Sequence, residues 1–343
     1  MVIARKPIGQ GNIGRSTAAS VSVSVTDAGS AELRWNAVAG ATDYQIFARG
    51  FVWTVTGTTF TDTGAAGTPA AAPTGSGSMW VVKNLFELKN ARRLTVQYNI
   101  FESNWQAGQA GYAIVFTPRN SGGLCTWCTI EDVEFSYNIV RHSAAAINIL
   151  GHDSPQVSGV TTNIRIRQNL FYDISRTSWS GNGWFMLIGD GPTQILVDHN
   201  TIDHDGTSVI YAYGGTATAP AIVPGFQFTN NIARHSTYGI NGAFFSYGLG
   251  ILNGFFPQSV VAGNLFSGGA ASRYPAGNFF NADFDAQFVR SSPDDYRLSA
   301  TSVLLGRATD GTDVGADVMT ILTQTSQISG APSMPRGLRI ATR

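Results

Sequence analysis

Cysteine, charged residues and long apolar runs are all scarce in this sequence. The 343 residues include two cysteines, Cys125 and Cys128, and no second pair exists to complete the roughly four ligands of a zinc site. Only 13% of the residues are charged, with a formal net charge of zero, so no basic face is available for nucleic acid. No apolar run approaches the ~20 residues that a membrane helix needs. We therefore expect neither a nucleic-acid partner nor a membrane span.

The two cysteines form a lone C-x-x-C motif within residues 121–129. We favour a local disulfide, because no βαβ pattern surrounds the motif as a redox pair would require. Residues 1–15 carry the charges of a signal-peptide n-region, but no apolar stretch follows them. The sequence therefore predicts no signal peptide in this chain, whose start is compatible with a fragment boundary.

A short pattern recurs along the middle of the chain. Two apolar residues flank one spacer, and an Asn follows three residues later, as in Val133, Phe135 and Asn138. Six copies, the last of them looser, end at Asn99, Asn138, Asn169, Asn200, Asn231 and Asn264. The four from Asn138 to Asn231 lie 31 residues apart. A fixed period of this size indicates a stacked, solenoid-like array.

Each repeat predicts three short strands. The alternating apolar residues before the Asn form a strand with one buried face, and a second strand follows the Asn. A third strand comes later in each repeat, at residues 113–117, 146–150, 185–188, 209–213 and 239–244. An Asn that adopts the left-handed conformation at the bend between the first two strands would complete one coil of a parallel β-helix.

This pattern resembles the right-handed parallel β-helix repeat proteins of the pectate-lyase-like superfamily over roughly residues 80–318. The resemblance implies an all-β solenoid with three strands per coil, and a substrate groove formed by the third strands and the loops leading into them. Residues 195–200, ILVDHN, are similar to the Trp-Ile-Asp-His stretch of pectate lyases but lack its tryptophan, and no Arg-x-Pro-x-x-Arg element is present. The resemblance therefore leaves the particular activity open.

Composition divides the chain into five segments. They are an N-terminal segment (1–19), a module that resembles part of a fibronectin type III domain (20–64), a Gly/Ala/Pro linker (65–79), the β-helix with its C-terminal cap (80–318) and a tail or linker (319–343). We expect the second segment to be a small β-sandwich with Trp35 in its core, either separate from the first coils or inserted into them. The closing part of the β-helix is expected to cap the open end of the stack. The tail is expected to be extended, either free or packed along the β-helix.

The third strands and their loops supply the candidate substrate-binding residues. The outward positions predicted on these strands are Asn148, Met186, Tyr211 and Tyr213, with Ile114 and Phe116 one coil earlier. The loops add three tryptophans, Trp105, Trp179 and Trp184. Aromatic rings on an open face suit sugars, because a pyranose packs its C–H surface on a ring while its hydroxyls reach polar neighbours. We assign binding to the loop tryptophans and to Asn148, Tyr211 and Tyr213; the alternative is that the rings fold back to cover the coil.

Polar candidates for catalysis cluster where the third strands end. Stacked coils lie ~4.8 Å apart, so equivalent positions are close together, and the alignment of repeats places His152 in register with Asp190. Asp153 and Asp190 could act as acid and base in glycoside hydrolysis, or could hold Ca²⁺ against a uronate. Arg119 or Arg141 is the candidate base of a lyase. The alternative is that both carboxylates make turn hydrogen bonds.

Three functions remain open from the sequence. The first is a carbohydrate-active enzyme, a lyase or glycoside hydrolase, that acts on a polysaccharide in the groove. The second is a non-catalytic glycan-binding or adhesin module, and the third is a surface scaffold. The low charge and the 39 glycines are typical of an exported bacterial polysaccharide-handling protein. We therefore expect a secreted or cell-surface monomer, able to be part of a larger multidomain chain, with no metal or cofactor other than the Ca²⁺ considered above.

Overall fold

The structure is a computed structural model that describes residues 2–9, 12–15, 31–38, 41–48, 51–63, 65–69, 81–326 and 339–342. The chain divides into two compact units, Met1–Val81 with Ser329–Arg343, and Val82–Ile328. Residues 20–30 of the predicted sandwich module and residues 70–79 of the predicted linker lie outside the described residues.

The first unit contains two small antiparallel sheets. Its strands are β1 (Val2–Gly9), β2 (Asn12–Arg15), β3 (Ala31–Arg34), β4 (Asp43–Ala48), β5 (Phe51–Val55), β6 (Thr59–Asp62) and β7 (Thr68–Pro69). One sheet has the order β2-β1-β4-β5-β7, and the other places β3 between β6 and the C-terminal strand Arg339–Thr342. Trp35, Tyr44 and Ile46 form a buried core, so Trp35 has the core position predicted for it. The end of the chain supplies a strand to this unit, where the sequence predicted a tail.

The second unit is a right-handed parallel β-helix with three parallel sheets of six strands, which confirms the predicted fold. Sheet 1 holds the strands that precede the repeated asparagines: β9 (Ala91–Gln97), β12 (Ile130–Ser136), β15 (Thr162–Arg167), β18 (Thr193–Asp198), β21 (Gln227–Thr229) and β24 (Val260–Ala262). Sheet 2 holds β10 (Ile100–Asn104), β13 (Ile139–Ser143), β16 (Leu170–Ile174), β19 (Thr201–His204), β22 (Ile232–Arg234) and β25 (Leu265–Ser267). Sheet 3 holds β8 (Phe86–Leu88), β11 (Tyr112–Phe116), β14 (Ala145–Leu150), β17 (Met186–Gly189), β20 (Ser208–Tyr213) and β23 (Gly239–Gly242).

Helices are short throughout the described residues. They are α1 (Arg176–Trp179), α2 (Leu249–Phe255) and α3 (Val318–Ser326), with single 3₁₀ turns at Ser121–Gly123, Ala271–Arg273 and Asp285–Gln287. No helix in this part of the chain is long and apolar enough to cross a bilayer.

Equivalent apolar residues of successive coils stack inside the β-helix. In sheet 1, Val133 lies opposite Leu94 and Ile164, and Ile164 lies opposite Ile195. Val133, Ile164 and Ile195 belong to one core cluster that all three sheets line. Removing these side chains from water is the main stabilising contribution to such a stack, and it follows directly from the period-2 alternation in the sequence.

The repeated asparagines form a continuous ladder at the bend between sheets 1 and 2. The backbone N–H of Asn138 donates to Oδ1 of Asn169 (2.9 Å), and that of Asn169 donates to Oδ1 of Asn200 (3.0 Å). The Nδ2 groups of Asn138 and Asn169 donate to the same two oxygens. Equivalent bonds continue from Asn99 at the start of the ladder to Asn278 at its end. Each amide thus satisfies backbone groups that the bend removes from the sheets.

The left-handed residue at this bend is the one before each asparagine. Gln168 has a φ of 56° and His199 a φ of 50°, just ahead of Asn169 and Asn200. The prediction that the Asn itself adopts this conformation is therefore wrong. The asparagine is required for its side-chain amide, and its neighbour makes the turn.

The segment after the last coil, residues 283–326, forms a strap along the outer side of sheet 2. Its apolar residues share a buried cluster with the first residues of the sheet 2 strands, among them Phe288, Leu304 and Val314 with Ile139, Leu170, Ile232 and Leu265. The backbone N–H groups of the strap bond to successively earlier coils, Gly315 to Asn230 O, Ala316 to Thr201 Oγ1 and Asp317 to Gln168 Oε1. The sequence predicted a cap over the end of the stack followed by an extended tail. The structure instead has a strap that covers outward apolar residues and ends in the helix α3.

Candidate functional site

The outward face of sheet 3 carries one column of side chains in register across five coils. Val115 lies opposite Asn148, Asn148 opposite Leu187, Leu187 opposite Tyr211, and Tyr211 opposite Asn241. Val115 is buried, whereas the other four are partly exposed. Asn148 and Tyr211 therefore have the outward placement predicted for them. The column contains no charged side chain between Val115 and Asn241.

Three other residues predicted to face outward point into the core. Ile114, Phe116 and Met186 are fully buried and belong to the main core cluster. The period-2 alternation was placed one residue out of phase on β11 and β17, because both flanks of these strands are apolar. Val115 and Leu187 occupy the outward positions instead, and the sequence analysis missed them.

An aromatic stack includes Tyr211, the fourth residue of this column. The rings of Trp184 and Tyr211 lie 4.6 Å apart between centroids and 8° from parallel. The indole Nε1 of Trp184 donates to Thr207 Oγ1 at 3.2 Å, which fixes the ring's orientation. Both residues are partly exposed, so the stack presents a firmly held aromatic surface beside the column.

Tyr213 stands in the next outward position of β20, opposite Gly189. A Cβ at Gly189 would overlap the phenol ring of Tyr213, so only glycine lets the ring lie against the strand. This was a signal available in the sequence, because a glycine within a strand often marks a close approach of another group. The structure thus brings Trp184, Tyr211 and Tyr213 onto one face.

The other two predicted tryptophans are not part of that aromatic surface. Trp179 ends α1, where its Nε1 donates to Asp173 Oδ2 at 2.9 Å and its ring lies 5.8 Å from that of His142. His142 and Asp173 are sheet 2 residues. Trp105 follows β10 of sheet 2, and its buried Nε1 has no hydrogen-bond partner among the described residues. The ring of Trp179 therefore lies with sheet 2.

Asp153 is a buried brace between two loops. Its Oδ1 accepts from Arg119 Nη1 at 2.7 Å, and its Oδ2 accepts from the backbone N–H of Asn120 at 2.8 Å. The carboxylate side chain is 4% exposed, so both oxygens are committed to the loop that follows β11. The structure therefore joins Arg119 and Asp153, but as partners of each other.

Asp190 lies level with Gly151, one residue from the register expected with His152. Leu150 is opposite Gly189, and the backbone N–H of Gly151 donates to Gly189 O at 2.8 Å. His152 is exposed, and its Nδ1 lies 3.4 Å from the backbone oxygen of Asp153. The expected pairing of His152 with Asp190 is therefore wrong by one position.

The carboxylate of Asp190 is the open acidic group of this face. The residue is partly exposed, has a φ of 50° and donates its backbone N–H to Tyr213 O at 3.2 Å. Its side chain rests against Gly214, where a Cβ would lie 2.6 Å from Oδ1. Within the described residues it has no ion pair and no side-chain hydrogen bond.

The charge of Asp190 reaches the neighbouring phenol. Burial raises the pKa of Tyr213, the negative charge of Asp190 raises it further, and the positive charge of Arg119 opposes part of this rise. Tyr213 is therefore a protonated hydroxyl near neutral pH, flanked by one carboxylate and one guanidinium.

Arg141 belongs to a different face from Arg119. It lies on β13 of sheet 2, where its Nε donates to Glu102 Oε2 at 2.7 Å and its Nη1 donates to Tyr172 OH at 2.6 Å. Burial alone would lower the pKa of Arg141, but these two hydrogen bonds outweigh it and raise the pKa. Arg141 is therefore a fixed cation away from sheet 3 and is not an alternative to Arg119 at one site.

Ion pairs between coils mark the outward faces of the other two sheets. On sheet 1 they join Arg92 to Glu131 and Arg167 to Glu134, and on sheet 2 they join Arg141 to Glu102 and Arg234 to Asp203, at 2.6 to 3.0 Å. Sheet 3 has no such ion pairs in its central column, which consists of uncharged polar, aliphatic and aromatic side chains from Val115 to Asn241.

The C-x-x-C motif and the metal expectation have separate outcomes. Cys125 and Cys128 form a disulfide, which confirms the predicted bond. No group of three or more His, Cys, Asp or Glu residues that could hold a metal ion occurs in the part of the chain that the structure describes. The described residues therefore offer no cluster of ligands for the Ca²⁺ considered from the sequence.

Comparisons with known proteins found no match: no family model, no curated protein and no solved structure matches the chain.

Proposed function

We propose that this protein binds a polysaccharide along the outward face of sheet 3. The observation that carries the proposal is the stacked pair of Trp184 and Tyr211 beside the uncharged column that includes Asn148. A sugar ring packs its C–H surface on such an aromatic plane, while amide and hydroxyl groups nearby accept and donate hydrogen bonds. Successive coils are ~4.8 Å apart, so the column offers equivalent positions in a row along which an extended chain can lie.

The contrast among the three sheets supports this choice of face. Sheets 1 and 2 carry coil-to-coil ion pairs, and sheet 2 is also covered by the strap. A neutral ligand rich in hydroxyl groups matches an amphipathic surface better than one filled with paired charges. Sheet 3 alone among the three offers such a surface over several coils.

Cleavage of the bound glycan is the second candidate, and Asp190 is the observation that favours it. Glycoside hydrolysis generally uses two carboxylates, and Asp153 is already engaged by Arg119 and Asn120. Asp190 with the protonated hydroxyl of Tyr213 is then the remaining acid–base candidate on this face. Binding is the preferred function because it requires only the partly exposed rings and amides of the column, and no second catalytic carboxylate.

The proposal includes a secreted or cell-surface location and a place among pectate-lyase-like proteins. The Cys125–Cys128 disulfide supports the location, since such bonds persist mainly in oxidising compartments. The three-strand coil and the asparagine ladder support the superfamily, and we propose that the protein acts as a monomer.

The test is titration of the purified chain with a panel of plant, algal and bacterial polysaccharides, together with a reducing-end and unsaturated-product assay. Tyr211→Ala should weaken binding about tenfold, because it removes one ring of the stack. Tyr98→Ala is the matched control, since the ring of Tyr98 contacts that of Tyr137, with centroids 5.6 Å apart, outside sheet 3. Equal binding by both variants would refute the proposed face. Formation of cleavage products that is lost in Asp190→Asn would instead favour the enzymatic function.

A further inference from the structure

The open carboxylate of Asp190 makes one end of the sheet 3 face electrically asymmetric. Within the described residues its side chain has no ion pair and no hydrogen bond, although it stands beside Tyr213. The other charges near it are Arg119 and Asp153, which are paired with each other at 2.7 Å. These three charges leave a net charge of −1 at the ends of β11, β14 and β17.

The nearest excess of positive charge on sheet 3 lies at its first strand. Lys83 and Lys89 both pair with Glu87, at 3.4 and 2.5 Å, which leaves one cation unbalanced. The Nζ of Lys89 also donates to Thr117 Oγ1 at 2.7 Å, just after β11, which is two strands from β17 in sheet order, or about 10 Å at ~4.8 Å per strand. That distance exceeds the Debye length of ~8 Å at physiological ionic strength, so salt screens much of the attraction between this cation and Asp190.

Two glycines shape the space around this carboxylate. Gly189 lets the ring of Tyr213 lie against the strand, and Gly214 lets the carboxylate of Asp190 approach the backbone. The result is a carboxylate next to the phenol of Tyr213. A carboxylate accepts strong charge-assisted hydrogen bonds from an ammonium group, and an aromatic face attracts the same cation.

We propose that Asp190 and Tyr213 form a subsite for a protonated amine, so that the preferred glycan contains an amino sugar with a free amino group. This inference rests on the proposed glycan binding and specifies its ligand. The ammonium group donates to the carboxylate of Asp190, while the sugar ring lies toward Tyr211 and Trp184. A polyuronate is disfavoured here, because its carboxylates would meet an uncompensated negative charge.

The experiment compares a glucosamine hexasaccharide with its fully N-acetylated counterpart by isothermal titration calorimetry on the full chain. We expect the free amine to bind about fivefold more tightly, with a preference that weakens as salt increases. Asp190→Asn should remove the preference, and Asn tolerates the left-handed backbone at this position. Asp294→Asn is the charge control, because Asp294 is an exposed residue of the strap.

The outcomes separate this inference from the function on which it rests. Equal affinity for the two hexasaccharides, or a preference that survives Asp190→Asn at an unchanged melting temperature, overturns the amine subsite. If a neutral glycan alone binds and Tyr211→Ala weakens that binding, the amine subsite fails and glycan binding on sheet 3 stands. If no glycan binding responds to Tyr211→Ala, both fail.

Discussion

Replacing Asn200 by Ala tests how much the asparagine ladder contributes to stability. Asn200 is fully buried, and its Nδ2 donates to Ile166 O at 2.9 Å, to Asp198 O at 3.1 Å and to Asn231 Oδ1 at 3.0 Å. Its Oδ1 accepts both the backbone N–H and the Nδ2 of Asn169 at 3.0 Å. The alanine variant makes none of these bonds.

The expected loss follows from the groups left without partners. The backbone N–H of Asn169 and the carbonyl of Ile166 lose the amide that links them, inside a buried bend. Each unsatisfied buried group costs about 1–3 kcal/mol, so Asn200→Ala should lower the free energy of unfolding by about 3–5 kcal/mol.

Asn99→Ala is the matched control at the start of the ladder. Asn99 is only partly buried, and its side chain donates to Gln97 O and Asn138 Oδ1 without accepting a backbone N–H. Its removal should cost less than about 1 kcal/mol. Urea unfolding followed by tryptophan fluorescence gives both values, provided that refolding is complete. Equal losses in the two variants would refute the assignment of the cost to unsatisfied backbone groups.

Two further predictions concern carboxylates that accept hydrogen bonds, Asp153 and Asp198. Asp153→Asn puts an amide N–H toward Arg119 or Asn120, and we expect a loss of about 2–3 kcal/mol in unfolding free energy; a melting temperature like that of Asp294→Asn would contradict the brace. Burial alone would raise the pKa of Asp198, but hydrogen bonds with His199 and Thr229 outweigh it and lower the pKa below its ordinary value of 3.8. A lowered folded-state pKa stabilises the fold above the unfolded pKa, and this contribution is lost as pH falls through the folded pKa. Melting temperatures between pH ~6 and ~2 should therefore fall less steeply for Asp198→Asn than for the unmodified chain, and identical slopes would exclude this role.

The candidate site was only partly predictable, and the reason is visible residue by residue. Tyr211, Tyr213 and Trp184 were found because aromatic residues at the third strand of a known period can be assigned to one face. Met186 was misplaced because apolar residues on both sides of β17 make the phase of the alternation ambiguous. Asp153 was interpreted as a catalytic acid because its partner Arg119 lies 34 residues away, on a loop whose path the sequence pattern does not specify.

The coil, its three strands, the recurring asparagine at the bend and the local disulfide follow from the sequence alone. All of these arise from short-range patterns, and in a parallel stack each repeat pairs with a neighbour that carries the same pattern. Only the folded structure shows that Arg119 pairs with Asp153 while Asp190 stays without an ion pair among the described residues, that Arg141 lies on another sheet, and that the last segment runs along sheet 2. These contacts depend on the paths of irregular loops, which bring charged and apolar residues together in space. The repeat period of the sequence does not specify those paths.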